Sequence, residues 1–371
     1  MMKIQEITAI LEQWAPKAYS EDFDNVGLLV GDQNQECKGV LITHDVLENV
    51  VAEAIEKKFN LIVTFHPIIF SGLKKITGKS YVERVVAKAL KNDIAIYALH
   101  TALDNHHKGV SHQLAKMLNL KQIEILIPKK NTLKQLTTYV PKENEKAMLE
   151  KLYEAGAGAL GDYDQCSFTT PGSGHFRGNE NSKPFLGKQM VPKKVAEVQL
   201  NLIFPTHLQQ PILQALFDTH PYEEIAYEIY SIENENQEIG MGSVGVLKKE
   251  MSEEQFLKTI ANQLKIKFLR HSELTGKKIR KVAVLGGSGS FAIQYAKKVN
   301  ADAFLTADLK YHDFFQAERK LLLIDGGHYE TEQNTKKLIR DHLIEKIPSF
   351  AIALSKSLTN PVNYYANGKK K

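Results

Sequence analysis

Two segments at opposite ends of this 371-residue chain alternate short apolar strands with amphipathic helices. In the first segment, the apolar runs KGVLIT (38–43), NLIVTF (60–65) and DIAIYAL (93–99) are separated by stretches with apolar residues at helical spacing. The second segment repeats this order around KVAVLGG (281–287) and ADAFLTA (301–307). Strand-helix alternation is typical of layered sheets covered by helices. We therefore predict an α/β fold for both segments.

The sequence changes character between these segments, over residues 133–233. Here a strand and a helix precede a Gly-, Ser- and Pro-rich stretch at 156–187, and a strand, a helix and a strand follow it. This order predicts a small α+β unit of its own, with a long exposed loop around PGSGHFRG (171–178). The predicted boundaries are an inserted α+β domain at 126–249 and one α/β domain made of 1–125 and 250–371.

Composition argues against several classes of protein. With 43% apolar and 25% charged residues, the chain has the balance of a folded globular protein. No apolar run approaches the roughly 20 residues that span a bilayer, and a signal-peptide pattern is missing, so we expect a cytoplasmic protein without a membrane partner. The net charge of +5 comes from interleaved charges, which disfavours nucleic acid as the main partner. Cys37 and Cys166 are too few for a cysteine-based zinc site.

A short internal repeat places a histidine and a carboxylate four residues apart after an apolar strand. It reads IYAL-His100-TAL-Asp104 in the first segment and LIDGG-His328-YET-Glu332 in the second. In a helical turn the two side chains lie on one face, with Cβ atoms about 5–6 Å apart. His66 ends a third strand. Since α/β proteins bind ligands at the carboxyl ends of strands, two related half-sheets facing one site are expected.

Imidazole and carboxylate groups in this pattern predict a metal site. They suit zinc, manganese, iron, nickel and cobalt, and a shared carboxylate can hold two ions roughly 3.5–4 Å apart. The alternatives are a structural hydrogen bond for each histidine that ends a strand, and a helix-dipole role for the glutamates of HYETE, the segment that begins at His328.

Two other features are compatible with more than one role. In Tyr311-His312-Asp313, His312 is either a general base or part of a structural His-Asp pair. The run at 286–290, Gly-Gly-Ser-Gly-Ser, follows a strand and is either a phosphate-binding turn or a tight turn from strand to helix.

Motifs spread over the whole chain carry a family resemblance. They are DNVGLLVGD, FHPIIFSGLKKITGK, ALHTALDN, PGSGHFR, HPYEE, GMGSVGVL, LGGSGS, LTADLKYHD and DGGHYETE. In this order and combination they resemble the Nif-three-like family of dinuclear-metal-centre hexameric proteins, often labelled GTP cyclohydrolase 1 type 2 homologues. The resemblance implies a two-lobed α/β domain, an inserted domain similar to the PII and CutA folds, and a toroidal homohexamer with metal sites facing its cavity.

The same resemblance implies a ligand set for the metal site. The family ligands carry over onto His66, Asp104, His328 and Glu332, for up to two divalent ions per subunit, with zinc as the first expectation. One position departs from the family pattern, which has a His-His pair before the proline where this chain has Phe65-His66. Phenylalanine has no ligand atom, so we expect His44, at the end of an adjacent strand, to replace the missing imidazole in part.

Two functions follow from these features. The first is metal-assisted hydrolysis of a nucleotide or another phosphorylated small molecule, with His312 or His100 transferring protons. The second is a non-catalytic hexamer that binds, senses or stores a small ligand, with the inserted domain as the sensing module.

Overall fold

The computed structural model describes residues 2–236 and 238–365, which fall into two compact units. The units are Met1–Ile127 with Ile239–Lys371, and Pro128–Glu238. The inserted unit is shorter than the expected 126–249 because the chain from Gly240 onward forms a strand that pairs inside the first unit. Within the described ranges, none of the helices combines the length and the apolar character that crossing a membrane requires.

The secondary structure follows the predicted alternation. In chain order, the strands are β1 (Gly27–Val30), β2 (Val40–Thr43), β3 (Leu61–Thr64), β4 (Ala95–Ala98), β5 (Lys121–Pro128), β6 (Leu133–Pro141), β7 (Phe168–Phe176), β8 (Lys193–Pro205), β9 (Tyr227–Ile232), β10 (Gly240–Ser252), β11 (Arg270–His271), β12 (Lys278–Ser288), β13 (Ala303–Ala307), β14 (Leu322–Asp325) and β15 (Ile352–Leu354). The α-helices are α1 (Ile4–Trp14), α2 (Glu48–Lys57), α3 (Tyr81–Lys91), α4 (His100–Asp104), α5 (Val110–Met117), α6 (Glu145–Glu154), α7 (Gln209–Thr219), α8 (Glu253–Leu264), α9 (Ile293–Lys298), α10 (His328–Glu332) and α11 (Thr335–Lys346).

The first unit contains a five-stranded sheet in the order β1-β4-β3-β2-β15. β15, β2, β3 and β4 are parallel, and β1 is antiparallel to β4. Every residue of β2, β3 and β4 is buried. Helices cover both faces, with α1 and α11 packed on the side of Val40 and Ile42 and α2 and α3 on the side of Leu41. Parallel strands buried in this way have nearly continuous apolar sequences, which makes them recognisable.

A six-stranded sheet in the order β11-β14-β13-β12-β10-β5 forms the other half of this unit. β12, β13 and β14 are parallel, whereas β10 and β11 run antiparallel to β12 and β14. α5 and α8 cover one face around Val282, Val284 and Leu305, and α9 covers the other around Phe304 and Leu323. The predicted α/β fold, with two sheets between helices, is confirmed. α4 and α10 are short helices of about one turn. α4 follows β4 of the five-stranded sheet, and α10 follows β14 of the six-stranded sheet.

The second unit is an antiparallel sheet in the order β7-β8-β6-β9, with α6 and α7 on one face. The predicted loop around PGSGHFRG (171–178) is wrong, although the segment is exposed as expected. Residues 168–176 form β7, which pairs with β8 along its whole length. Glycine and proline are tolerated there because β7 is an edge strand, which needs backbone partners on one side only.

The two ends of the inserted unit lie side by side. β6 begins at Leu133, which pairs with Ile232 at the end of β9. Between these ends the unit has a core of its own, in which Leu136, Leu200 and Phe204 are fully buried. A segment with adjacent ends and a separate core has the properties of an independently folding domain.

We predict that residues 128–238, expressed alone, unfold cooperatively in urea. Leu136→Ala should lower the free energy of unfolding by about 2–5 kcal/mol, because it leaves a cavity in the core. Leu160→Ala is the control, since Leu160 is 55% exposed, and it should change the value by less than about 0.5 kcal/mol. Circular dichroism against urea concentration measures all three. A broad, non-cooperative transition of the unsubstituted fragment would contradict the prediction.

Candidate metal centre

Four histidines follow the carboxyl ends of parallel strands in the first unit. His44 follows β2, His66 lies two residues beyond β3, His100 begins α4 after β4, and His328 begins α10 after β14. The amide of His66 donates to the carbonyl of His44 at 3.0 Å, so the ends of β2 and β3 stay paired. The centroid of the His66 ring lies 4.6 Å from that of His44, 5.3 Å from His100 and 5.4 Å from His328. The sheets thus gather four imidazoles at one place.

Glu332 lies at the centre of this histidine cluster. Its Oε2 atom is 3.4 Å from Nε2 of His44, 3.3 Å from Nε2 of His66 and 3.2 Å from Nε2 of His328. The glutamate is only 4% exposed. Within residues 2–236 and 238–365, two groups have potential metal-ligand atoms within 4.8 Å of one another, namely His66, His328 and Glu332, and His44, Asp45 and His66.

Three of the histidines are each held by an aspartate at Nδ1, the ring nitrogen opposite Nε2. The pairs are His66 with Asp45, His328 with Asp308 and His100 with Asp24, each with 2.7 Å between Nδ1 and a carboxylate oxygen. Because an ionised carboxylate can only accept, Nδ1 carries the hydrogen and donates it. A fixed Nδ1–H sets the orientation of the ring and leaves Nε2 to face the cluster, which is the usual arrangement of metal-binding histidines.

The loops after β13 and β14 are joined by the buried carboxylate of Asp325. It accepts hydrogen bonds from the amides of Leu309 and Gly327, both at 3.0 Å. Two residues near the histidine cluster have strained backbones. Asp308 has a φ of +57° and His100 a φ of +30°, where residues other than glycine are rare. Strained residues persist where the surrounding structure imposes them, and they concentrate at functional sites.

Gly287 makes room for the Glu332 carboxylate. Its φ is +69°, and a Cβ atom at this position would lie 2.1 Å from Oε1 of Glu332 and 3.3 Å from Nε2 of His328. The Gly287 amide donates to Oγ1 of Thr331 at 3.0 Å, which links the end of β12 to α10. Glycine is therefore required for both its conformation and its size. Of the two roles predicted for the run at 286–290, these contacts support the tight turn.

The protonation equilibria of the cluster are strongly coupled to Glu332. Burial lowers the pKa of His66, but the hydrogen bond to Asp45 and the contact with Glu332 outweigh it and raise that pKa to about 10. Burial also lowers the pKa of His328, but the contact with the negative charge of Glu332 outweighs it and raises that pKa to about 9. Burial acts to raise the pKa of Glu332, yet His328, His44 and His66 hold it well below its ordinary value. A cation that binds these nitrogens has to displace protons.

Asp104 faces the same cluster with the opposite electrostatic balance. Burial first, and then the negative charge of Glu332, raise the pKa of the Asp104 carboxyl well above its ordinary value, whereas His66 and His328 lower it. Asp104 is thus within electrostatic range of the other three predicted ligands, although it belongs to neither group of closely spaced ligand atoms. A cation shared by the two carboxylates would relieve their repulsion.

Unsatisfied polar atoms test whether a metal fits these residues. Among the described side chains, Nδ1 and Nε2 of His44 and Oε2 of Glu332 are buried without a hydrogen bond of good geometry. Buried polar atoms of this kind are rare and call for a partner such as an ion. Imidazole nitrogen and carboxylate oxygen are ligands of zinc and of the other divalent transition metals. The donor set therefore fits a divalent cation.

The structure separates the two residues predicted to transfer protons. His100 lies at the edge of the cluster, with its ring 5.3 Å from His66. His312 is exposed on a 3-10 turn, where its ring contacts Tyr311 and Phe315, and it does not line the cavity beside the cluster.

Asp45 and Asp308 are site residues that the sequence reasoning missed. Each stands just beyond a fully buried parallel strand, Asp45 two residues after β2 and Asp308 directly after β13. Their position at the carboxyl ends of strands is the signal that was available. Their histidine partners were not predictable, since they lie 21 and 20 residues further along the chain.

A cavity of about 340 Å³ opens beside the cluster, and its lining includes His44, His66, His328 and Arg270. This volume lies at the lower end of the range for small-molecule sites. Arg270 brings a guanidinium group to the cavity wall, where it pairs with Asp325, and Asp45, Asp308 and Glu330 also line the cavity. Guanidinium groups recognise carboxylate and phosphate, so Arg270 is the side chain of this wall that suits an anionic group.

Known proteins share this fold over its whole length. A family model described as Duf34/NIF3 (NGG1p interacting factor 3) matches residues 2–361. A Bacillus subtilis protein named "GTP cyclohydrolase 1 type 2 homolog" is 38% identical over 370 residues, which cover 97% of this chain and 98% of the relative. A Listeria monocytogenes protein of the same name is 34% identical over 345 residues, covering 92% and 91%. The crystal structure of a Bacillus cereus protein related to NIF3 superimposes with a TM-score of 0.85 at 34% identity, covering 98% of this chain and 99% of the other.

We predict that Gly287→Ala disrupts the metal centre, because the added Cβ displaces the Glu332 carboxylate. Gly276→Ala is the matched control, since Gly276 has a φ of +75° but a Cβ there would meet no atom within 4 Å. Both substitutions should cost about 1–3 kcal/mol in the free energy of unfolding from backbone strain. Only Gly287→Ala should also lose bound zinc, measured by mass spectrometry after dialysis. Equal zinc content in the two variants would show that the space beside Gly287 is not needed for zinc binding.

We also predict that His44→Leu weakens zinc binding at least about tenfold, as expected when a metal loses a supporting group. His312→Leu, at an exposed position away from the cluster, should leave the affinity unchanged. Isothermal titration calorimetry with Zn²⁺ measures both variants. In a crystal soaked with zinc, Nε2 of His44 should lie about 2.0–2.1 Å from an ion. A separation above about 4 Å would exclude His44 as a ligand.

Proposed function

The chain belongs to the Duf34/NIF3 family, and from this premise we propose that it is a divalent-metal-binding protein that acts as a metal-dependent hydrolase. One observation carries the proposal: the buried Oε2 atom of Glu332 faces Nε2 of His44, His66 and His328 without a hydrogen bond of good geometry. These four residues are the proposed ligands of a first ion. Zinc is the first candidate, and manganese, iron, nickel and cobalt suit the same donors.

A second ion would need ligands outside the first set, because the Nε2 atoms of His44 and His66 are used there, and Asp45 and Asp104 are the nearby carboxylates. We expect it to bind more weakly than the first. Asp45 is already engaged at both oxygens, by Nδ1 of His66 at 2.7 Å and by the Thr359 hydroxyl at 2.8 Å. The proposed capacity is therefore one firmly held ion and a second, weaker one per subunit.

The residues around the centre suit a phosphorylated substrate. An ion held there supplies Lewis-acid chemistry, which polarises a phosphoryl or carbonyl oxygen. Arg270 is placed to bind an anionic group of the substrate, and Asp45 and Asp308 keep His66 and His328 oriented. With its Nδ1 hydrogen fixed on Asp24, His100 is the proposed group for accepting or giving a proton at Nε2. A nucleotide is a suitable substrate class, in line with the names of the relatives.

The alternative is a non-catalytic protein that binds or senses a small ligand. It is favoured by the placement of His312 outside the cluster and by Phe65, a fully buried apolar ring 5.4 Å from His44 and 5.7 Å from His100. Of the two residues predicted to transfer protons, only His100 then has its ring near the cluster. The toroidal homohexamer and the cytoplasmic location stay predictions in both cases.

We predict that the purified protein, dialysed against Zn²⁺, carries at least one ion per chain and hydrolyses at least one member of a nucleoside phosphate panel. Glu332→Gln should lose both metal and turnover, because it removes the charge that balances the cation. His312→Ala should keep both. Metal content is measured by mass spectrometry and hydrolysis by chromatography of the products.

The outcomes separate the two functions. Well under one ion per chain in the wild type, matched by Glu332→Gln, would mean that the metal centre is wrong. One ion per chain without turnover of any nucleotide would favour the non-catalytic alternative. Loss of turnover in His312→Ala with metal retained would return His312 to the reaction.

A further inference from the structure

A second cavity, of about 740 Å³, lies within the inserted unit. Two motifs from the sequence that the metal centre does not use both line it. They are PGSGHFRG (171–178), which includes the end of β7, and HPYEE (220–224), which follows α7. Two chemically distinctive segments, about 45 residues apart in sequence, therefore meet at one cavity. Its volume is within the range of small-molecule sites.

The floor of the cavity is the face of the sheet that α6 and α7 leave uncovered. The helices pack on Val198 and Leu200 of β8, so Glu197 and Gln199, which alternate with them, point to the opposite face. β7 contributes Gly172 and Gly174 beside Glu197. A Cβ at Gly174 would lie 2.0 Å from Oε2 of Glu197, whereas a Cβ at Gly172 would meet no atom within 4 Å. The glycines leave the Glu197 carboxylate accessible from the cavity.

Three aromatic rings line the cavity together with this carboxylate. The Tyr222 ring centroid lies 6.0 Å from that of Phe176 and 6.3 Å from that of Phe185, at interplanar angles of 56° and 50°. The Tyr222 hydroxyl donates to Oε1 of Glu197 at 2.7 Å. His220 fixes the tyrosine, because its Nδ1 accepts from the Tyr222 amide at 3.1 Å while its Nε2 donates to the Tyr139 carbonyl at 3.0 Å. The rings and the carboxylate are thus held in place.

The charges that line the cavity are mainly negative. Glu197, Glu223 and Glu224 contribute three carboxylates, and Arg177 contributes one guanidinium. Glu223 also anchors the loop over the cavity, since its Oε1 accepts from the Lys183 amide at 2.7 Å. Aromatic faces attract cations, and a carboxylate among them adds a charge-assisted hydrogen bond. The cavity is complementary to a cation with an organic body.

We propose that the cavity of the inserted unit binds a small organic cation of the amidinium or ammonium class. Glu197 receives the charged N–H groups, and Phe176, Phe185 and Tyr222 contact the organic part. The site lies wholly within residues 128–238, so it does not depend on the metal centre. The inserted unit would then bind a ligand whether the first unit is a hydrolase or a non-catalytic binding protein.

The test uses the full-length protein and three probes of matched shape, the benzamidinium cation, neutral benzamide and the benzoate anion. Isothermal titration calorimetry at constant ionic strength should show saturable binding of benzamidinium at one site per chain. Benzamide should bind at least tenfold more weakly, and benzoate should not bind. Glu197→Gln should weaken benzamidinium binding at least tenfold, while Glu150→Gln, on the exposed surface of α6, should leave it unchanged.

A pair of glycine substitutions keeps the proposal testable if Glu197→Gln fails to fold. Neither Gly174 nor Gly72, a residue of the first unit, has a positive φ, so alanine suits the backbone at both. Gly174→Ala displaces the Glu197 carboxylate and should abolish benzamidinium binding, whereas Gly72→Ala, whose added Cβ would meet no atom within 4 Å, should change it less than threefold. Circular dichroism checks that both variants are folded. Equal affinities for benzamidinium and benzamide, or unchanged binding in Glu197→Gln and Gly174→Ala, would overturn the proposal.

Discussion

The candidate metal centre depends on the burial of one carboxylate, that of Glu332, among three imidazoles. A charge that is 4% exposed costs several kcal/mol unless the structure compensates it, so its neighbours are not interchangeable. His44 and His66 come from one sheet, and His328 precedes Glu332 on the helix that follows the other. Both sheets of the first unit must therefore be assembled before the Glu332 carboxylate has its three imidazole neighbours. The site therefore forms only when the first unit has folded completely.

The repeated motif occupies equivalent positions in the two halves but acquires different electrostatics. His100 and His328 each begin a single-turn helix after a parallel strand, and each donates Nδ1–H to an aspartate. The carboxylates that close the two helices differ, since the pKa of Asp104 is raised and that of Glu332 is lowered. The two turns therefore differ in their electrostatic surroundings although their residue spacing is the same.

Local sequence predicted the elements whose pattern is local. The buried parallel strands and the His-x-x-x-carboxylate turns were found because apolar runs and four-residue spacings are short-range signals. Asp45 and Asp308 were missed because their hydrogen bonds join ends of different strands. β7 was taken for a loop since its glycines and proline favour turns, while its pairing with β8 is set by tertiary structure. A role of His312 in proton transfer stays a prediction, since the sequence does not show that this exposed side chain lies away from the cavity beside the cluster.

Strand register relates Phe65, where the family pattern that the sequence resembles has a histidine, to His44. Thr43 of β2 pairs with Thr64 of β3, so His44 and Phe65 occupy equivalent positions one residue beyond two neighbouring strands. The amide of Phe65 donates to the Thr43 carbonyl at 3.3 Å, and the rings of His44 and Phe65 stack with centroids 5.4 Å apart. Register therefore places one imidazole and one fully buried apolar ring at equivalent positions, and of the two it is His44 that brings a nitrogen to Oε2 of Glu332, at 3.4 Å.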